Sequence, residues 1–465
     1  MKRAALALCT IVGAVVFAFS VRAAETPVPI APPKINIPFE KYQLENGLEV
    51  LLHRDSTLPL VAINVWYHVG PVNEPPGRSG FAHLFEHLMF EGSRHVGKHF
   101  DQVLESAGAT NANGTTSWDR TNYFETVPRE QLELVLWLES DRMGFMIDNI
   151  TQERLDVQRN VVMNERRQSY ENAPYGKSTL TLLNALFPPG HPYHGAIIGS
   201  MADLQAATLE DVRNFFRDFY APSNATLALA GDFQPGEAHA LIERYFGPLR
   251  HQPRPGAGDA TRSKPGPRVG RMEVVEPVDL AQISFGWLAP PAYSPQDPVL
   301  DVATSLLAGG KATRLYRELV VEQQLASDVS AWADPNALGT IVVVSATVAT
   351  GRPVSEVEDA LGSCLAKLAT TPPTQDELQR AKRGLLVGLY DQLQLLNGHG
   401  GESGRAGLLQ RFNHYLGSPA ALEDWPARLT SVTADDVKTV VEQYLRPDQR
   451  VTVVTLPGKK QGEGQ

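Results

Sequence analysis

Apolar and polar residues recur on two different periods along this chain, and each change of period marks a new element. In YQLENGLEVLLHRD, from Tyr42, an Asn-Gly pair separates two short runs, which predicts a β-hairpin. VAINVWYHVG, from Val61, reads as a buried strand. ATNANGTTSWDRTNYFETVP, from Ala109, combines turn residues with Thr, Tyr and Phe, the pattern of one strand or a strand pair. The spacing turns helical from Arg129 to about Ile147 and again from Thr151 to about Tyr170, with Thr151 as N-cap and Glu153 near the start. Between the first strand and the turn-rich stretch lies SGFAHLFEHLMFEGS. Its Leu84, Phe85, Leu88, Met89 and Phe90 predict a helix that is mostly buried.

The pattern then repeats. TLEDVRNFFRDFYAPSNATLALAG, from Thr208, resembles TADDVKTVVEQYLRPDQRVTVVTLPG, from Thr433: a capped helix, an aromatic end, a Pro turn and a strand. VAINVWYHVG corresponds to AQISFGWLAP, from Ala281. The expected fold class is therefore α+β, with two homologous units of mainly antiparallel sheet packed with helices. The units are residues 24–250 and 270–458. They are joined by a Pro/Gly-rich linker over 251–269, and a short tail covers 459–465.

Composition narrows the class. At 465 residues the chain exceeds one ordinary core, and 43% hydrophobic with 20% charged residues is the balance of a folded protein. The net charge is −10 with no basic run, which argues against nucleic-acid binding. Residues 1–23 read as a signal peptide: Lys2 and Arg3, an apolar stretch from Ala4 to Ser20, then Val21-Arg22-Ala23 as the cleavage site. The mature protein is then exported, periplasmic or secreted. It loses three further positive charges with the signal and keeps no span that could cross a membrane. Residues 24 to about 36 are Pro-rich and read as an extended arm. Cys9 falls in the signal, so Cys364 is the single mature cysteine; an intramolecular disulfide and Cys-based zinc binding are both excluded.

The chemistry centres on His83-Leu84-Phe85-Glu86-His87. Four residues apart on a helix, the two imidazoles share a face, and Glu86 lies beside them. Two neutral imidazoles, with room for a carboxylate and a water, make the donor set of a catalytic zinc. Glu86 stands one position off the metal axis, where it can take a proton from that water. A second pair, His95 and His99, is interrupted by Gly97 and has no acidic partner at metal spacing. Gly398–Gly404 (GHGGESG) lacks the Lys-Ser/Thr of a phosphate loop and reads as a mobile or substrate-skimming loop.

HLFEH followed downstream by QRNVVMNERRQSYENAPYG resembles the pitrilysin/insulinase-type zinc peptidases, the inverzincins, which include the mitochondrial processing peptidase. The resemblance implies a third ligand at Glu165, in the V-x-x-E step Val162-Met163-Asn164-Glu165, and so one Zn2+ per chain. It places Gln158 where the family often has another glutamate; an amide there can hydrogen-bond a ligating group from behind but carries no charge. It also sets Asn113 in a strand where an extended substrate adds by main-chain pairing. His191-Pro192-Tyr193 matches the family as a structural loop.

Only the first unit carries the metal motif, because LDVATSLLAGG, after the second strand, has no histidine. Members that act alone carry an Arg and a Tyr in the second half; here those positions are Val320 and Ser327. The resemblance thus implies a clamp-like metallopeptidase of peptides or unfolded polypeptides. Its site would be completed by a homologous subunit, in a hetero- or homodimer that supplies the Arg and Tyr. The alternative is a zinc-binding scaffold or assembly subunit of the same fold without proteolysis.

Overall fold

The computed structural model describes residues 33–97, 99–256 and 266–458. The first half opens with the expected hairpin, β1 (Glu40–Gln43) and β2 (Glu49–Arg54). Gly47 takes φ +93 in its turn, a left-handed conformation that glycine adopts at no steric cost. Then follow β3 (Leu60–Tyr67), α1 (Phe81–Leu88), α2 (Phe100–Ser106), β4 (Thr110–Thr116) and β5 (Thr121–Pro128). Helices α3 (Leu132–Phe145), α4 (Gln152–Arg166), α5 (Gly176–Leu186), α6 (Met201–Ala206) and α7 (Leu209–Phe219) lead to β6 (Ala225–Gly231) and α8 (Pro235–Phe246). The six strands form one sheet in the order β1-β2-β6-β3-β5-β4, parallel at β2/β6 and antiparallel elsewhere.

The second half repeats this order. It comprises β7 (Gly270–Glu276), β8 (Gln282–Ala289), α9 (Asp297–Ala308), β9 (Ala326–Asn336) and β10 (Gly339–Val348). Helices α10 (Val354–Thr370), α11 (Gln375–Leu393), α12 (Gly404–Leu416), α13 (Ala421–Ser431) and α14 (Ala434–Tyr444) precede β11 (Val451–Pro457). Its sheet runs β7-β11-β8-β10-β9, again with one parallel pair, β7/β11. Strand for strand this is β2-β6-β3-β5-β4, and α3–α7 correspond in order to α10–α14. The repeat extends to the caps. Thr208 and Thr433 each close a capping box, with Asp211 and Asp436, so each satisfies main-chain N–H groups at a helix start.

Residues on each β-strand point alternately to two faces, and the faces have different partners. In the first sheet Val61, Ile63, Val65 and Tyr67 pack with α1, α3, α4 and α7 in one core. Ala62, Ala228 and Ala230 pack on the other face with Leu408, Leu409 and Phe412 of α12, a helix of the second half. Reciprocally, Leu182, Ala185 and Leu186 of α5 lie on Ile341, Val343, Val451 and Val453 of the second sheet. The two units therefore face each other by exchanging equivalent helices. Each large apolar side chain buried this way contributes about 1.5–3 kcal/mol.

The helical stretches expected from Arg129 and Thr151 are α3, flanked by single 3-10 turns, and α4, which loosens into a π-type turn over Arg167–Glu171. Thr151 is the N-cap, its side chain accepting from Arg154 N. The expected signal, most of the Pro-rich arm, residues 257–265 of the linker and the tail 459–465 lie outside the described residues. Among the described residues no helix is long and apolar enough to cross a membrane.

Candidate active site

Helix α1 is short and polar on one side, so its position depends on what holds its ends. It starts after Gly80, whose φ is +89. A Cβ at Gly80 would lie 2.5 Å from the Ile198 carbonyl oxygen, which leaves room for no other residue there. No N-cap side chain is in place at Gly80; the buried carboxylate of Glu74 acts instead, accepting from Gly80 N at 2.9 Å and Ala82 N at 2.8 Å. A carboxylate suits the positive end of a helix, while burial pushes its pKa up to about 8. The apolar face is locked by aromatics: Phe81 and Phe85 pack on Phe215 of α7, and Phe85 stacks on Tyr220.

His83, Glu86 and His87 occupy the opposite face. His83 is buried and His87 half-buried, with ring centroids 4.9 Å apart. Helix α4 brings in Glu165, whose Oε1 is 3.6 Å from His83 Nε2 and whose Oε2 is 3.2 Å from His87 Nε2. One donor atom from each of the three lies within 4.8 Å of the other two. Among the described residues no other group of three His, Cys, Asp or Glu side chains converges in this way. Burial first, opposed by the nearby carboxylates, lowers the His83 pKa, and the hydrogen bond from His87 is the main cause lowering that of Glu165. A neutral imidazole and an ionised carboxylate are the forms a metal needs. The other nitrogen of His83, Nδ1, is buried without a hydrogen-bond partner.

Glu86 is held by β4. The Thr116 hydroxyl donates to Glu86 Oε2 at 2.7 Å. Gly114 makes the approach possible, because a Cβ there would sit 3.0 Å from Glu86 Cγ and 3.1 Å from the Tyr123 ring. Tyr123 in turn donates to the Phe85 carbonyl at 3.1 Å, tying β5 to the same helix.

Two family models match this chain in succession: Insulinase (Peptidase family M16) over residues 49–191, and Peptidase M16 inactive domain over residues 206–385. The chain belongs to peptidase family M16. It is 29% identical to the zinc protease PqqE of Helicobacter pylori, over 90% of this chain and 93% of that protein. An uncharacterized zinc protease of Bacillus subtilis, YmxG, is 24% identical over 90% of this chain and 98% of its own length. A crystal structure of a protease from Helicobacter pylori superposes with a TM-score of 0.81 at 26% identity, covering 90% of this chain and all of that one. The periplasmic protease PqqL from Escherichia coli shares the fold, with a TM-score of 0.70 at 18% identity; the match covers 92% of this chain and 48% of PqqL.

The remaining expected residues of this M16 chain fall in different places. Gln158 lies on α4, but its amide donates to Glu91 Oε1 at 2.5 Å and not to His83, His87 or Glu165. Asn113 is exposed on β4, the free edge of the first sheet. Strand alternation puts Gly114 and Thr116 on the side of α1, and Thr115 on the far side with Asn113. Beside Glu86, Asn113 therefore offers main chain, and its Oδ1 accepts from Gly114 N at 2.9 Å. His95 pairs with Asp141, and His99 Nδ1 contacts Gln102 Oε1 at 3.0 Å, so these histidines are engaged elsewhere. Tyr193 of the His191-Pro192-Tyr193 loop donates to Asp119, which also accepts from Tyr415 and Ala337 N of the second half.

In the second half, Val320 packs against the core and Ser327 reaches only the Thr347 carbonyl, at 3.3 Å. Arg314 is bound to Glu377 and Arg317 to Glu322, so neither is a spare arginine for the metal site. The Gly398–Gly404 loop, expected to be mobile or substrate-skimming, packs against the first half: Gly401 is buried, and Asn64 donates to its carbonyl at 2.7 Å. Sequence reasoning missed Glu74 and Thr116. Glu74 sits in the N-terminal approach to the motif, and Thr116 lies two positions after the glycine that faces α1. Alternation along β4 was the one local signal for Thr116.

Proposed function

We propose that this chain is an exported, zinc-dependent endopeptidase in which His83, His87 and Glu165 hold one Zn2+ and Glu86 is the general acid–base. The single observation that supports it best is the convergence of the three donor atoms within 4.8 Å, with Glu86 on the same helix face. Two imidazoles and a carboxylate match zinc in type and number and leave a position open. Bound there, zinc supplies Lewis acidity that polarises a substrate carbonyl and makes water a nucleophile near neutral pH. Glu86, aligned by Thr116, takes the proton from the attacking water and delivers it to the departing amine nitrogen. The free edge of β4 accepts an extended peptide as an added strand, which selects for backbone and tolerates varied side chains.

A homologous subunit completes the site. Val320 and Ser327 stand where self-sufficient members carry Arg and Tyr, and neither can donate as those side chains do. The fold of this chain accounts for about half of PqqL, so in PqqL a further half follows in the same chain. Export is supported by the basic and apolar start of the sequence and by the periplasmic setting of PqqL.

A second reading is a non-proteolytic zinc-binding scaffold. It is favoured by the M16 inactive-domain match over residues 206–385 and by likeness in fold to a chain of Complex III2 from Candida albicans, with a TM-score of 0.73 at 14% identity. Metal analysis and peptide hydrolysis of wild type and Glu86→Gln, alone and with a related subunit, separate the two readings. Zinc in both proteins with turnover only in wild type supports the peptidase. Zinc in both with turnover in neither, under every pairing, supports the scaffold.

A further inference from the structure

The loop Gly398–Gly404 joins α11 to α12 in the second half, yet it is built into the first. The Thr115 hydroxyl donates to the Gly400 carbonyl at 3.1 Å, and Asn122 Nδ2 donates to the same oxygen at 3.3 Å. Gly400 and Gly401 have φ of +64 and +61, and a Cβ on Gly401 would lie 2.4 Å from both Asn122 and Phe124. Only glycine allows this approach. Next to them Glu402 pairs with Arg120, whose Nε donates at 2.9 Å. Arg120 is 3% exposed and also donates from Nη1 to the Thr115 carbonyl at 2.8 Å and to Asn122 Oδ1 at 2.8 Å. The second half thus grips the turn between β4 and β5 through an ion pair and two glycines.

The grip matters because of what β4 carries. β4 is an edge strand, hydrogen-bonded to β5 on one side only, and its first four residues are exposed. Such a strand opens easily unless something else holds it. Thr115 faces the loop, and the next residue, Thr116, faces α1 and orients Glu86. We infer that the Gly398–Gly404 loop is a positioning device for the reaction: Glu402, through Arg120 and Thr115, holds β4 where Thr116 aligns the Glu86 carboxylate. The inference rests on the peptidase reading above. It assigns the metal-free half a direct task, which is to keep the other half's acid–base in place.

The test uses the full mature chain loaded with zinc, with its partner subunit where activity requires one. Turnover of a fluorogenic peptide is compared for wild type, Glu402→Ala, Glu402→Gln, Thr116→Val and the Glu402→Ala/Thr116→Val double variant. Amide exchange is followed at Asn113–Thr116. Glu402→Ala and Thr116→Val are each expected to lower kcat by about tenfold with zinc content unchanged. The double variant is expected to be no worse than the weaker single, because both act on one alignment. Glu402→Gln, which keeps an acceptor for Arg120, should recover part of the loss and stands in if Glu402→Ala does not fold. Exchange at β4 should quicken in the Glu402 variants while α1 stays protected. Losses that multiply in the double variant, or β4 exchange equal to wild type, overturn the inference. If wild type hydrolyses nothing, the peptidase reading falls, and the exchange at β4 still decides whether the loop holds the strand.

Discussion

Helices α1 and α9 follow equivalent strands in two copies of one unit, and they have opposite characters. α1 carries His83, Glu86 and His87 on one face and is held at its start by Glu74. α9 reads DPVLDVATSLLA and buries Val299, Leu300, Val302, Ala303, Leu306 and Leu307 in an apolar core. Polar groups on a mostly buried helix are costly unless something satisfies them. In the first half Glu165 approaches the two imidazoles, at 3.6 and 3.2 Å, and Thr116 donates to Glu86 at 2.7 Å, while His83 Nδ1 keeps no partner. In the second half the buried polar side chains of α9 find main-chain partners close by, Asp297 accepting from Tyr293 N and Thr304 donating to the Leu300 carbonyl, and the rest of the helix is packing. One architecture thus carries a copy in which two histidines and a glutamate converge and a copy built for packing. The difference lies in a handful of side chains and in who neutralises them.

The sharpest way to break this comparison is at Glu86. Glu86→Gln should retain zinc by metal analysis and lower kcat by about a thousandfold, as loss of a general acid–base does. Unchanged turnover would remove the functional asymmetry between the halves. Glu165→Ala, or a chelator, should release the metal and lower the unfolding temperature, with the loss of structure beginning in the first half. Binding at a hundredfold excess over Kd is worth about 2.7 kcal/mol, and among the described residues the second half has no such site to lose it from. Melting followed by probes in each half reads this out.

The two N-terminal carboxylates sharpen the contrast further. Glu74 accepts from Gly80 and Ala82 at the start of α1, and Asp297 accepts from Tyr293 N at 2.6 Å at the start of α9. Glu74→Ala leaves two buried N–H groups unpaired, at a cost of about 1–3 kcal/mol, and should weaken zinc binding. Asp297→Ala should cost stability and leave zinc affinity as it was. Equal zinc affinity in both variants would mean that the start of α1 does not set its histidines.

The smallest expected effect is confined to the second half. The Arg314 guanidinium beside Glu377 holds that carboxyl down to about 2. A carboxyl whose pKa is lowered by folding stabilises the fold above its usual value near 4.5, and the gain is lost as pH falls from there towards 2. With solvent screening the gain is about 1 kcal/mol. Glu377→Gln should therefore shift the urea midpoint at pH 7 and leave it unshifted near pH 2. A shift of equal size at both values would contradict the linkage.

Much of the site was legible before the fold. The i,i+4 histidines, the Thr151 cap, the capped helices from Thr208 and Thr433 and the repeat of helix, turn and strand around them are encoded within one or two helical turns or by direct repetition. Glu165 needed the family resemblance, since a glutamate in a helix is by itself an ordinary surface residue. Asn113 lies on a strand, as expected, but its side chain falls on the face away from α1. Gln158 was placed on the right helix and found another partner, Glu91. The glycines of Gly398–Gly404 suggest freedom along the sequence, whereas in the fold Gly401 lets the Asn122 and Phe124 side chains come within 2.4 Å of where a Cβ would stand.

Local code was enough to specify the helix with its two histidines and glutamate, the doubling of the unit and the lack of metal chemistry in the second copy. These follow from residue type, period and spacing over short distances. The meeting of Glu165 with the imidazoles, the support of Glu86 by Thr116, the exchange of α5 and α12 between sheets and the hold of the second half on β4 came from the folded chain. Each is a contact between residues far apart in sequence, and nothing near them along the chain records the partner. Burial selects that partner, because a polar group removed from water must find its complement wherever the chain brings one.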